Sequence, residues 1–139
     1  MYRKILVAND GSHGALKALA AAIALAKQFG AALHMVGVEE LPRFPATIDE
    51  VDETKDEATH RLTTVAATAL AQAQAAGIAL EAHLLIGHPV EAIAALVGEQ
   101  QFDLPVIGFM GHSQLYQRII GSTADRLVDL APCAVLVVK

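Results

Sequence analysis

Apolar residues along this chain follow two patterns: short unbroken runs, and longer stretches where they return every third or fourth position. The runs Ile5–Ala8, Leu33–Val38, Ala79–Ile86, Leu104–Gly108 and Ala134–Val138 predict buried strands 1 to 5. The first stops at Asn9-Asp10-Gly11, three turn-forming residues. Ser12 is placed to cap a helix in which Leu16, Leu19, Ala20 and Ile23 share a face and which Gly30 closes. From about Asp49 to Ala76, the spacing of Leu62, Val65, Ala66, Ala69, Leu70 and Ala73 predicts a long amphipathic helix ended by Gly77. Gly87-His88-Pro89 turns into a third helix, with Pro89 near its first position and Val90, Ile93, Ala94 and Val97 on its apolar face. A fourth helix runs from Ser122 to Leu130. The segments Glu39–Thr47, which holds Pro42 and Pro45, and Phe109–Gly121 are expected as loops. Pro105 has no N–H to donate, so it belongs at the first positions of strand 4.

Strands that alternate with helices pair in parallel through right-handed crossovers, and continuously apolar strands must be covered on both faces. The expected fold is therefore α/β: one doubly wound, Rossmann-like domain spanning residues 1–139, a five-stranded parallel sheet with helices on both faces. Strand 5 falls at the sheet edge, and Val135-Leu136-Val137-Val138 is too apolar to face water, which predicts a homodimer through Ala134, Val135, Leu136, Val137 and Val138.

Composition narrows the function. Of 139 residues 54% are hydrophobic, but the longest apolar run, Ala18–Ala26, is about half a membrane span, so insertion is rejected. The net charge is −5 and the ten Lys and Arg residues are scattered, which argues against a nucleic-acid partner. The acidic stretch Asp49–Glu57 suits a helix N-terminus. Cys133 is the single cysteine and reads as a small buried hydrophobe. No secretory signal follows Met1, so a reducing cytoplasm is the expected compartment. The six histidines show no helical i, i+4 pair and no Cys partner, which argues against zinc; His34 and His83 fall on strands and His88 in its turn. Ser12 lies in no Gly-x-Ser-x-Gly elbow, so it reads as a cap and not as a nucleophile.

In an open parallel sheet, ligands bind outside the carboxyl ends of the strands. Three segments reach that edge: Asn9-Asp10-Gly11-Ser12, Gly108-Phe109-Met110-Gly111-His112-Ser113 and Gly121-Ser122-Thr123. The last puts a glycine and two hydroxyls at a helix N-terminus, which favours an anion, although Gly-Ser before a helix also serves as a plain cap. Gly108 and Gly111 allow a backbone to approach a ligand, or form ordinary turns. Neither Gly-x-Gly-x-x-Gly after strand 1 nor Gly-Lys-Ser/Thr occurs. Without that lysine, binding without fast chemistry is the expected outcome, and no catalytic residue is assigned.

The spacing Gly108-x2-Gly111-x9-Gly121-Ser122 resembles the G-x2-G-x9-G-[S/T] signature of the ATP-binding branch of the universal stress protein family. The resemblance extends to Lys4-Ile5-Leu6-Val7 with Asp10-Gly11-Ser12, to Leu33-His34, to Gly87-His88-Pro89 and to Ala131-Pro132-Cys133-Ala134-Val135-Leu136-Val137-Val138. It implies ATP or another adenine nucleotide lying across strands 1 and 4. The backbones of Ala8, Asn9 and Met35 would border the adenine, and Asp10 the ribose or a metal. Gly108, Gly111 and His112 would line the ribose-phosphate path, and Gly121, Ser122 and Thr123 would hold the phosphates. A carboxylate repels a triphosphate, so Asp10 must face a ribose hydroxyl or share Mg2+, which is admitted with the nucleotide but not required. The family also commonly pairs through its last strand. The sequence departs from the pattern at Phe109-Met110, where a small hydroxyl residue and a basic or polar one are usual; Arg118 is the cation in that loop. The resemblance implies a nucleotide-dependent binding or signalling module in stress response. A slow Mg-dependent ATPase and a nucleotide-free interaction protein of the same fold are the alternatives. A phospho-accepting receiver would need an aspartate at the end of strand 3, where Leu85-Ile86-Gly87 stands.

Overall fold

The computed structural model describes residues 1–40, 48–110 and 120–139, with side chains in the stretch 48–58 described only at 56 and 57. Strands and helices alternate among them: β1 (Lys4–Ala8), α1 (His13–Phe29), β2 (Ala32–Glu40), α2 (Ile48–Ala75), β3 (Leu80–Gly87), α3 (Pro89–Glu99), β4 (Leu104–Gly108), α4 (Ser122–Leu130) and β5 (Leu136–Val138). The sheet order is β3-β2-β1-β4-β5, with every neighbouring pair parallel. The chain winds from β1 outward to β3 and then returns to the other side of β1, so the direction of winding reverses between β1 and β4.

Strand parity divides the core in two. Ile5, Val7, Leu33, Met35, Leu104 and Val106 pack with α1 and α2 on one face. Leu6, Val36 and Ile107 pack with α3 and α4 on the other. Full burial of side chains of this size is worth roughly 1.5–3 kcal/mol each, which is why all three central strands are apolar on both faces. The local punctuation follows the sequence expectation. Ser12 caps α1, its Oγ accepting from the Ala15 N–H, and Gly30 ends that helix in the left-handed conformation. Pro89 opens α3.

Two strand boundaries differ from expectation by two residues, and the others by at most one. β2 continues through Glu40 because β3 is long enough to extend the ladder, pairing Glu39 with Ile86 and Glu40 with Gly87. Glu39, expected in a loop, is 4% exposed, and its Oε2 accepts from Thr59 Oγ1 at 3.0 Å. β5 covers only Leu136–Val138 instead of starting at Ala134. The register Val106↔Leu136 would set Val135 opposite Pro105, which has no N–H for a ladder bond. Pro105 itself is the second residue of β4 and faces Leu6, as its missing donor required.

Cys133 is half-buried, and its Sγ donates to Phe102 O at 3.6 Å; burial, with Asp103 adding to it, pushes the thiol above its ordinary 9.0. Among the described residues, no helix is long and apolar enough to cross a membrane.

Candidate functional site

A cavity of about 340 Å³ opens at the carboxyl ends of the strands, beside the switch between β1 and β4. This volume falls in the ~300–1,000 Å³ range usual for small-molecule sites. Its floor is the turn that leaves β1. The Asn9 N–H donates to Val36 O at 2.9 Å, and the Asn9 side chain, 3% exposed, accepts from the Gly11 N–H at 3.0 Å. Asp10 Oδ1 accepts from the Ser12 N–H at 2.9 Å. Successive Asx turns therefore hold Ala8, Asn9, Asp10 and Ser12 in place along the cavity wall. Ser12 is engaged as the cap of α1, as the sequence indicated.

Gly108 ends β4 at the same edge. A Cβ there would lie 2.7 Å from both the carbonyl carbon and oxygen of Gly14, and a Cβ on Gly14 would in turn strike the Met110 carbonyl. The sequence reading considered Gly108 a place where backbone nears a ligand. It lines the cavity, but what it meets at closest range is the first turn of α1. Beyond it, Phe109 turns away from the cavity: its ring lies 5.2 Å below Lys139 Nζ, and its backbone N–H donates to Val138 O at 2.8 Å. Met110 does line the cavity.

The Phe109 carbonyl accepts from the Gly121 N–H at 2.7 Å, which anchors the start of α4 next to β4. Gly121 is the N-cap, with φ −61° and ψ 150°, and provides no side-chain cap. The N–H groups of a helix's first turn have no partner within the helix, and here Gly121, Ser122, Thr123 and Ala124 all face the cavity. Their amides and the helix dipole make this end of the cavity suited to an anion.

The opposite wall is apolar: Val36 and Val38 from β2, Ile107 from β4, and Pro89 and Ile93 from α3. Met35, whose backbone was expected beside the adenine, is not among the lining residues. Its side chain is fully buried on the α1 and α2 face, contacted by Asn9 Nδ2 at 3.6 Å, and Val36 takes its place. Gly111, His112 and Arg118 lie outside the described residues.

Sequence reasoning missed Arg61 and Glu40, a basic and a second acidic residue that line the same cavity as Asp10. The signal for Arg61 was its place next to Leu62, which is 2% exposed and reaches Gly37 near the carboxyl end of β2. Outside the lining, Arg126 of α4 donates to Glu91 Oε1 of α3 at 2.9 Å. The Glu91 carboxyl is held below its ordinary 4.5, first by its own backbone N–H at the helix start and then by Arg126.

Comparison with known proteins adds to this geometry. The model of the Universal stress protein family matches residues 1–139. A universal stress protein of Thermus aquaticus is 36% identical over 143 residues, covering 100% of both chains. Among solved structures, universal stress protein UspA of Lactobacillus plantarum superposes with a TM-score of 0.93 at 24% identity, over 99% of this chain and 98% of that one. A universal stress protein in complex with cAMP gives a TM-score of 0.77 at 27% identity, over 99% and 97%. The protein from Archaeoglobus fulgidus in complex with dAMP gives 0.67 at 25%, over 99% and 98%.

Proposed function

This chain belongs to the universal stress protein family, and from that premise we propose that it binds an adenine nucleotide in the cavity at the β1/β4 switch. One observation carries the reading: the first turn of α4, Gly121 to Ala124, which has no side-chain cap, opens into the same cavity as the Asn9-Asp10 turn and a wall of aliphatic side chains. The adenine packs against Val36, Val38 and Ile93, the ribose lies by Asp10, and the phosphates meet the α4 amides. Two structural neighbours hold cAMP and dAMP, which share the adenine and one phosphate. We favour ATP, with Mg2+ shared between its phosphates and Asp10, because the carboxylates of Asp10 and Glu40 otherwise repel a polyanion.

We read the protein as a binding module and not as a catalyst. Asp10 Oδ1 is already engaged by the Ser12 amide, and Arg61 is the one guanidinium in the described lining. The nucleotide stabilises a state read by a partner or by a second copy joined along β5, in the cytoplasm.

The test is the thermal midpoint with and without Mg-ATP, for the wild type and for Gly121→Val, which closes the anion end. Ligand at 100 times Kd adds about 2.7 kcal/mol, a shift of several degrees. A shift in the wild type and none in Gly121→Val is expected, with phosphate release no faster than in the variant. No shift in either protein overturns the reading.

A further inference from the structure

At the opposite, amino-terminal edge of the sheet, β2 and β3 bring together three side chains distant in sequence. The register sets His34 opposite Glu81 and Val36 opposite His83. Glu81 and His83 are two residues apart, so all three side chains leave the sheet on one face. His34 Nδ1 lies 2.8 Å from His83 Nε2 and 3.3 Å from Glu81 Oε2. The imidazole planes are within 8° of parallel, and both rings meet the edge or face of Phe102, at 5.0 Å and 6.4 Å between centroids. The three donor atoms lie within 4.8 Å of one another. Helical spacing, the pattern sought in the sequence, does not detect a group assembled across two strands.

We propose that His34, His83 and Glu81 form a binding site for a divalent transition-metal ion of the zinc class, distinct from the nucleotide cavity. The chemistry of the donors selects the ion. Two imidazole nitrogens and one carboxylate oxygen suit Zn2+ and its neighbours, whereas Mg2+ and Ca2+ demand oxygen. Ligand bonds of about 2.0–2.2 Å fit among atoms already this close, once the facing nitrogens part slightly. The two rings already bring their facing nitrogens within 2.8 Å of each other. When the ion enters, the proton on that line moves to the far nitrogen of its own ring, and both facing lone pairs turn to the metal. Phe102 limits how far the imidazoles can swing. The side chain of His34 is 12% exposed and that of Glu81 67%, so the site is anchored within the sheet and open to solvent at the carboxylate. A fourth position is left for water. Lys4 is the opposing charge, but its Nζ is held by Gln100 O at 2.8 Å and lies 4.6 Å over the Phe102 ring. A bound ion would clamp the edge strand β3 to β2.

The experiment is Zn2+ titration of the full chain, stripped with chelator, by calorimetry. One ion per chain is expected. His83→Gln should weaken binding at least about 100-fold and Glu81→Gln at least about 10-fold, while His60→Gln on α2 leaves it unchanged. Co2+ supplies a readout independent of folding in the variants: the wild type should develop the intense visible bands of a four-coordinate ion, which Zn2+ abolishes. Binding kept in the Glu81→Gln, His83→Gln double variant overturns the proposal. So does less than one ion per chain, or a Co2+ spectrum no different from the aqueous ion.

Discussion

A methyl group at Gly108 would meet main-chain atoms of Gly14 at 2.7 Å, and backbone cannot swing aside as the tip of a side chain can. Gly108→Ala is therefore expected to cost about 1–3 kcal/mol as overpacking, seen as a lower denaturant midpoint. Gly98 is the contrasting case. It lies exposed within α3, and a Cβ there meets nothing within 4 Å. Gly98→Ala should stabilise by about 0.5–1 kcal/mol through helix propensity. If the two substitutions move the midpoint equally, the close approach of β4 to α1 does not matter to stability. The sequence identified Gly108 as a special position but not its contact, because no local pattern announces Gly14, in the first turn of α1, as its neighbour.

Helices α1, α3 and α4 meet the site near their first turns, and α3 offers a measurable handle. The Glu91 carboxyl is held below 4.5 mainly by its own backbone N–H at the start of α3, and secondarily by Arg126. A depressed carboxylate pKa adds stability that is present above its unfolded value and is lost as pH falls through the folded one. An NMR titration of Glu91 should give a midpoint below 4.5. In Arg126→Gln the midpoint should rise only partway, because the amide at the helix start remains. A full return to 4.5 would show that the ion pair alone is responsible. The pair is exposed, so its effect belongs in the titration and not in the melting curve. The element boundaries were legible wherever caps and glycines mark them, as at Ser12, Gly30 and Pro89. They were not legible at Glu39, whose place in β2 depends on the length of β3 and on Thr59 of α2.

The whole molecule leaves two strand edges, β5 and β3. Leu136–Val138 are all half-buried, and among the described residues β5 pairs with β4 alone, which supports the proposal that a second copy pairs there. β3 also exposes Leu84 (42%) and Ile86 (58%). Sedimentation at micromolar concentration should give a dimer that Val137→Lys dissociates and Ile86→Lys does not. A wild-type monomer overturns the pairing. Dissociation by Ile86→Lys alone moves the interface to β3.

The sequence by itself determined the alternation of strands and helices, the parallel doubly wound class, the caps, and the gathering of Asn9, Asp10, Gly108 and Gly121 at one edge. Those features are written in periods of a few residues and in the conformational limits of single residues. Only the tertiary structure decided that Val36 and not Met35 faces the cavity, that Arg61 reaches it from α2, and that His34 meets His83 across a strand pair. Each depends on register and parity between segments tens of residues apart. These are set by how the assembled sheet packs against helices on both faces, and no local pattern records that packing.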